Sequence, residues 1–278
     1  MLLQEIVPGK TLLTPLCVLP VMSHFTALTI AGSDSGGGAG IEADLKTFQA
    51  LGVHGTCAIT AITSQNTTGV QAVFDVPPAV IESQICSVMS DFSIGHAKTG
   101  MLSRPGTVEV VARCVKKYGI RLVVDPVMAA ESGGMLLHPE AVDALRDMIL
   151  PVAEAVTPNI YEASVLSGVR VNDEASAKQA CKAIHGMGTK YVIITGGHMG
   201  GIDVLYDGSV FKVFRGELIN GGTHGTGCTH SAALTAYLCR GENIEDACSK
   251  AKSFVKNAVM NFMDVGHGVR PVNPGGIK

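Results

Sequence analysis

Residues 222–231 read GTHGTGCTHS. Gly225, Thr226 and Gly227 form a turn that runs into an alanine-rich apolar stretch, so Cys228 is expected at the start of a helix. Free backbone N–H groups at a helix N-terminus, with glycine beside them, make an anion hole. A thiol there is expected to have a lowered pKa and to act as base or nucleophile. A metal site using His224, Cys228 and His230 is the rival reading. Positions 228 and 230 point to different sides of a helix, so they do not readily share an ion. His224 and His230 are left without a role.

Five more stretches carry chemistry. AGSDSGGGAGIEADLKTF (31–48) joins a strand to a helix through a loop with more glycine than a turn needs, suited to close approach of a ligand. It fails the dinucleotide fingerprint, because Ile41 stands where the third glycine belongs. Asp44 is expected in the first helical turn, where dipole capping and ligand contact explain it equally. TSQNTTGV (63–70) offers the side-chain amides of Gln65 and Asn66, which donate and accept together and suit a nitrogen heterocycle, though loop polarity alone is the simpler reading. VVDPVM (123–128) ends a buried strand on Asp125, and TPNIYEA (157–163) sets Asn159 and Glu162 three apart on one helical face. Carboxylates and an amide at strand ends can hold Mg²⁺, with helix capping the plainer reading of Asn159. IITGGH (193–198) places Thr195 and Gly197 in a strand-to-glycine turn suited to a phosphate or a base edge.

The elements that position these residues alternate. Strands are predicted at 26–32, 55–63, 96–101, 120–128 and 190–198, with a further strand opening 153–168. Helices are predicted at 40–52, 77–92, 105–119, 138–150, 174–188, 226–241 and 243–266, with another closing 153–168. Asp207-Gly208 marks a two-residue hairpin within 201–215. Strands that read as apolar runs, separated by helices, predict a mostly parallel sheet covered on both faces. Ligands of such sheets bind at the carboxyl ends of the strands, where the stretches above fall.

Composition narrows the rest. The 278 residues are 46% hydrophobic and 16% charged, which supports a sizeable core and argues against disorder. A net charge of −3 without a basic run argues against nucleic-acid or membrane-surface partners. No apolar stretch is long enough to span a membrane. The eight cysteines include no CxxC pair and fit a reducing cytoplasm. PGKT at 8–11 mimics a Walker A ending, but Gln4 occupies the required glycine position. Residues 1–24 are expected to be a disordered extension ahead of a single domain at 25–278, with Met22 an alternative start. The segment makes a poor signal or transit peptide, since Pro15 and Pro20 break its apolar run.

ALTIAGSDSGGGAGIEADLKTFQALGVHG, AITSQNTTGVQ, DPVMAAESG, TPNIYEA and THGTGCTHSAAL, in this order, resemble the hydroxymethylpyrimidine/phosphomethylpyrimidine kinases of thiamine synthesis, within the ribokinase-like superfamily. The resemblance runs from about Ala27 to about Pro271. It implies an α/β fold, a ribokinase-like three-layer αβα sandwich with a mostly parallel central sheet. It implies ATP- and Mg²⁺-dependent phosphorylation of 4-amino-5-hydroxymethyl-2-methylpyrimidine, then of its monophosphate to the diphosphate. By the same resemblance Gly32, Asp44 and Gln65 hold the pyrimidine, and the GTGC segment is the anion hole, with Cys228 where other ribokinase-like enzymes carry aspartate. Asp125 and Glu162 match positions near Mg²⁺ and the ATP phosphates.

Two departures stand out: Thr195 replaces a lysine of some relatives, and Tyr161 a common proline. Some relatives carry a further C-terminal domain, which this chain is too short to include. A homodimer is expected, as in similar enzymes. Cys228 as general base would take the hydroxymethyl proton. Pyridoxal kinase is the close rival, disfavoured by SQNT around Gln65. A nucleotide-dependent oxidoreductase and a catalytically silent ligand-binding regulator are the readings from other classes.

Overall fold

The computed structural model describes residues 25–129, 136–197 and 199–276. The expected N-terminal extension, the end of the DPVMAAESG stretch and His198 lie outside the described residues. One nine-stranded sheet runs in the order β3-β2-β1-β4-β5-β6-β7-β8-β9. Its strands are β1 (Phe25–Asp34), β2 (Val53–Asn66), β3 (Gly69–Asp75), β4 (His96–Thr99), β5 (Arg121–Val124), β6 (Ala153–Val156), β7 (Tyr191–Ile194), β8 (Asp203–Tyr206) and β9 (Phe211–Phe214). β2, β1, β4, β5, β6 and β7 pair in parallel, and β3, β8 and β9 are antiparallel additions at the two edges.

The helices are α1 (Gly40–Ala50), α2 (Pro78–Asp91), α3 (Pro105–Tyr118), α4 (Pro139–Ala144), α5 (Ile160–Ser167), α6 (Glu174–His185), α7 (Thr226–Cys239) and α8 (Ile244–Met260). Proline opens α2, α3 and α4, where its missing N–H has no intrahelical partner to lose. Leu122 and Val124 of β5 pack with α2 to α6, and Val123 packs with α1, α7 and α8. Both faces of the sheet are therefore apolar and covered, which is why the strands read as runs rather than alternations. This is the αβα sandwich expected from the sequence.

Three details differ from the sequence reading. The helix expected at 138–150 ends at Ala144 and continues as a π turn and a tight turn to Val152. The Asp207 hairpin closes through four residues, with the Asp207 carboxylate accepting the N–H groups of Ser209 and Val210. β3 is an addition to the expected strands, because an edge strand with exposed Val73 and Phe74 lacks a buried apolar face.

The chain leaves β1 for β2 on one side and later returns to β4 on the other. That switch point opens a crevice at the carboxyl ends of β1 and β4.

Candidate active site

Lys98 on β4 lies beneath this crevice and is fully buried. Its Nζ lies 2.8 and 3.0 Å from the two carboxylate oxygens of Asp44 on α1, and 3.7 Å from Asp125 Oδ2 beyond β5. Thr29 Oγ1 also donates to Asp44, at 2.6 Å. Burial alone would lower the Lys98 pKa. Asp44, Cys228 and Asp125 outweigh it and hold the ammonium charged. Asp44 is thus neither a helix cap nor in the first turn. Glu42 fills that place, accepting from Ser33 Oγ at 2.7 Å and the Asp34 N–H at 2.8 Å.

The start of α7 faces this cluster. Ser231, one turn into the helix, donates to Asp125 Oδ2 at 2.9 Å. No side chain caps the helix, and its N-cap is Gly225 at φ +85°. A Cβ on Gly225 would stand 1.9 Å from the Gly38 carbonyl oxygen, so only glycine fits there. The first bond of the helical ladder runs from Thr229 N–H to Gly225 O, so the amides of Gly227 and Cys228 precede the ladder. The Thr226 amide, expected in the anion hole, instead closes the turn on Thr223 O at 3.0 Å.

Cys228 departs from expectation in its acidity. Its pKa is pushed up to about 12, first by burial and further by the Asp125 and Asp44 carboxylates; Lys98 and the Gly40 amide pull the other way without prevailing. A helix N-terminus alone would lower a thiol, but burial, helped by two anions nearby, reverses the sign. His224 and His230 diverge from the cysteine. His224 Nε2 lies 2.8 Å from Asp34, and buried His230 faces the region of Asp203 and Lys252.

Asn159 and Glu162 form a reciprocal capping box at the start of α5, with both bonds at 2.9 Å. The capping reading of Asn159 is therefore the one the geometry takes. The other Glu162 oxygen accepts the Met128 N–H at 3.4 Å, which aims the carboxyl towards the Asp125 strand end. Burial first, then Asp125, pushes Glu162 up to about 8. Thr195 bridges to Asn159, and Gly197 follows in an open turn where a Cβ would meet nothing. These three make a patch at the ends of β6 and β7.

Gly32 sits at an irregularity in the β1–β2 pairing, where its carbonyl approaches Gly40. Gln65, next to last in β2, is clasped by Ser35, whose hydroxyl donates to Gln65 O at 2.7 Å and accepts Gln65 N–H at 2.8 Å. Sequence reasoning missed Lys98, Asp34 and Ser231. The one available signal for Lys98 was a lysine inside a short strand, between Ala97 and Thr99.

The sequence profile described as phosphomethylpyrimidine kinase matches residues 34–273. The chain belongs to this family. It is a kinase, as the resemblance implied. It is 45% identical over 258 residues to the hydroxymethylpyrimidine/phosphomethylpyrimidine kinase of Bacillus subtilis, covering 91% of this chain and 95% of the relative. A phosphomethylpyrimidine kinase structure from Clostridium difficile is 41% identical with a TM-score of 0.76, covering 84% of this chain and 99% of that one. An ADP complex of Bacillus subtilis pyridoxal kinase is 39% identical with a TM-score of 0.84, covering 90% and 97%. Among the described residues no helix is long and apolar enough to cross a membrane.

Proposed function

We propose that the kinase uses ATP to phosphorylate 4-amino-5-hydroxymethyl-2-methylpyrimidine and then its monophosphate, as a step towards thiamine. The observation that carries this is the buried Lys98–Asp44–Asp125 cluster beneath the uncapped start of α7. It sets one fixed cation and two first-turn amides beside a thiol, at the end of the sheet where a small acceptor enters. Phosphoryl transfer asks mainly for such positioning and charge stabilisation. The amides of Gly227 and Cys228 would receive the moving phosphoryl group, with Gly225 giving the turn its shape. Gly32, Asp44 and Gln65 would hold the pyrimidine, and Asn159, Thr195 and Gly197 the nucleotide.

Mg²⁺ fits the donor set in one place. Asp125 and Glu162 are buried carboxyls whose pKa values rise together, with Asp125 adding to the rise at Glu162. A divalent cation would relieve that repulsion and neutralise phosphate oxygens. Burial, with the Asp125 and Asp44 carboxylates nearby, holds Cys228 as a thiol. Neutralising Asp125 removes one of the two carboxylate charges that oppose its ionisation, so the thiol would become a competent base only in the loaded site.

The two carboxyls predict a pH effect. Glu162 binds its proton more tightly in the folded chain, near 8, than at its ordinary 4.5. Its contribution to stability is therefore present below the ordinary value and is lost as pH rises through about 8. Without metal, the melting temperature falls across that window, and Mg²⁺ raises it more at about pH 8 than at about pH 5. Equal Mg²⁺ shifts at both pH values, measured by differential scanning fluorimetry, count against the site. Glu162→Gln should flatten the dependence.

Residues 25–278 are taken as a single kinase domain acting in the cytoplasm as a homodimer, with 1–24 an extension. Pyridoxal phosphorylation is the second reading, favoured by the likeness to solved pyridoxal kinases. The test of function is mass spectrometry of purified protein incubated with Mg·ATP and the pyrimidine alcohol. Two successive phosphate additions are expected; an unchanged alcohol would refute the proposal.

A further inference from the structure

His224 takes no part in the transfer just described, yet it is 4% exposed and bonded to a residue 190 positions earlier. Its partner, Asp34, is 2% exposed and anchors the β1–α1 loop. Asp34 Oδ1 accepts the Gly36 N–H at 2.8 Å. Oδ2 accepts the N–H groups of Gly38 at 3.0 Å and Ala39 at 2.8 Å, and lies 2.8 Å from His224 Nε2. Burial would raise the Asp34 pKa, but the His224 bond and the Gly36 and Ala39 amides hold it below its ordinary value. The carboxylate is therefore anionic and can only accept, so Nε2 carries the proton in this bond.

The other side of His224 is equally fixed. Its N–H donates to Arg270 O at 3.1 Å, and its carbonyl accepts the Val272 N–H at 3.1 Å. The next residue is the N-cap Gly225, against which the Gly38 carbonyl is packed. A Cβ on Gly38 would stand 2.3 Å from His224 Cδ2. Two glycine-rich turns thus meet backbone to backbone around one buried side-chain bond. One belongs to the acceptor side and the other opens α7.

We propose that His224 is a positioning residue that locks the β1–α1 loop against the start of α7. It holds the acceptor hydroxyl in register with the amides that receive the phosphoryl group. The proposal rests on the kinase reading above, because it assigns those two loops to acceptor and anion. Displacement of a reacting group by about 1 Å is enough to cost about 100-fold in rate.

The test compares wild type, His224→Ala and His224→Gln. Glutamine keeps an N–H donor at similar reach, and alanine has none. Alanine should lower kcat for the pyrimidine alcohol by about 10- to 100-fold and leave KM for Mg·ATP within about threefold, and glutamine should restore most of the loss. Hydrogen exchange on the ligand-free protein should speed up at Gly36, Gly38 and Ala39 in the alanine variant, with α8 unchanged. Should alanine fail to fold, His224→Asn, whose amide falls short of Asp34, takes its place. Unchanged kcat in the variant lacking the donor, unchanged loop exchange, or no recovery with glutamine overturns the proposal. Exchange is read without substrate, so a wild type inactive on pyrimidine would refute the functional reading while leaving the loop contact measurable.

Discussion

Lys98→Met is expected to destabilise the fold by about 3–5 kcal/mol and to abolish transfer, because it leaves buried carboxylates without their cation. Lys98 and Asp44 are both fully buried, so water cannot screen the loss. Methionine preserves most of the volume, which separates the charge effect from a cavity effect. Urea unfolding at neutral pH measures the first part and turnover in the folded fraction the second. The acidic partners predict an asymmetry. Lys98→Met combined with Asp44→Leu should recover part of the stability, because the pair leaves together, and it should recover no activity. A single Lys98→Met variant as stable as wild type would contradict the paired-charge reading of the crevice.

Cys228→Ala is expected to cut kcat by about 100-fold or more while leaving KM for Mg·ATP within about threefold, the pattern of a lost proton acceptor. The high thiol pKa sharpens this. A group pushed up to about 12 is almost wholly protonated at neutral pH, so kcat/KM, which reports the free enzyme, should rise with pH across the accessible alkaline range. Cys228→Asp introduces the carboxylate used elsewhere in the superfamily and should recover part of the loss with a flatter alkaline limb. Near-wild-type turnover by the alanine variant would remove the thiol from the mechanism and leave the amides and Lys98 to act alone.

The sheet, its covering helices and the start of α7 were legible because apolar runs, proline helix starts and glycine turns are local signals. Asp125 was legible for a related reason: a carboxylate that ends a buried apolar run is costly unless a cation or a donor meets it. Lys98 was not, since its partners Asp44 and Asp125 are 54 and 27 positions away and no local pattern links them. His224 was invisible as a loop anchor for the same reason, with Asp34 190 positions distant. The direction of the Cys228 shift came out reversed because dipole reasoning counts the helix amides and not the burial or the two carboxylates. Asn159 and Glu162 show a different limit. The spacing that suits a metal also makes a capping box, and only the side-chain directions separate the two.

The kinase is expected to prefer the pyrimidine alcohol over pyridoxal. The most direct test of that preference puts both alcohols at equal concentration with Mg·ATP and purified protein in one vessel, and quantifies both monophosphates at low conversion. The product ratio then equals the ratio of kcat/KM values, free of any difference in enzyme concentration. Pyrimidine monophosphate is expected in excess by about tenfold or more, equivalent to about 1.4 kcal/mol of discrimination. Equal products, or an excess of pyridoxal phosphate, would contradict it.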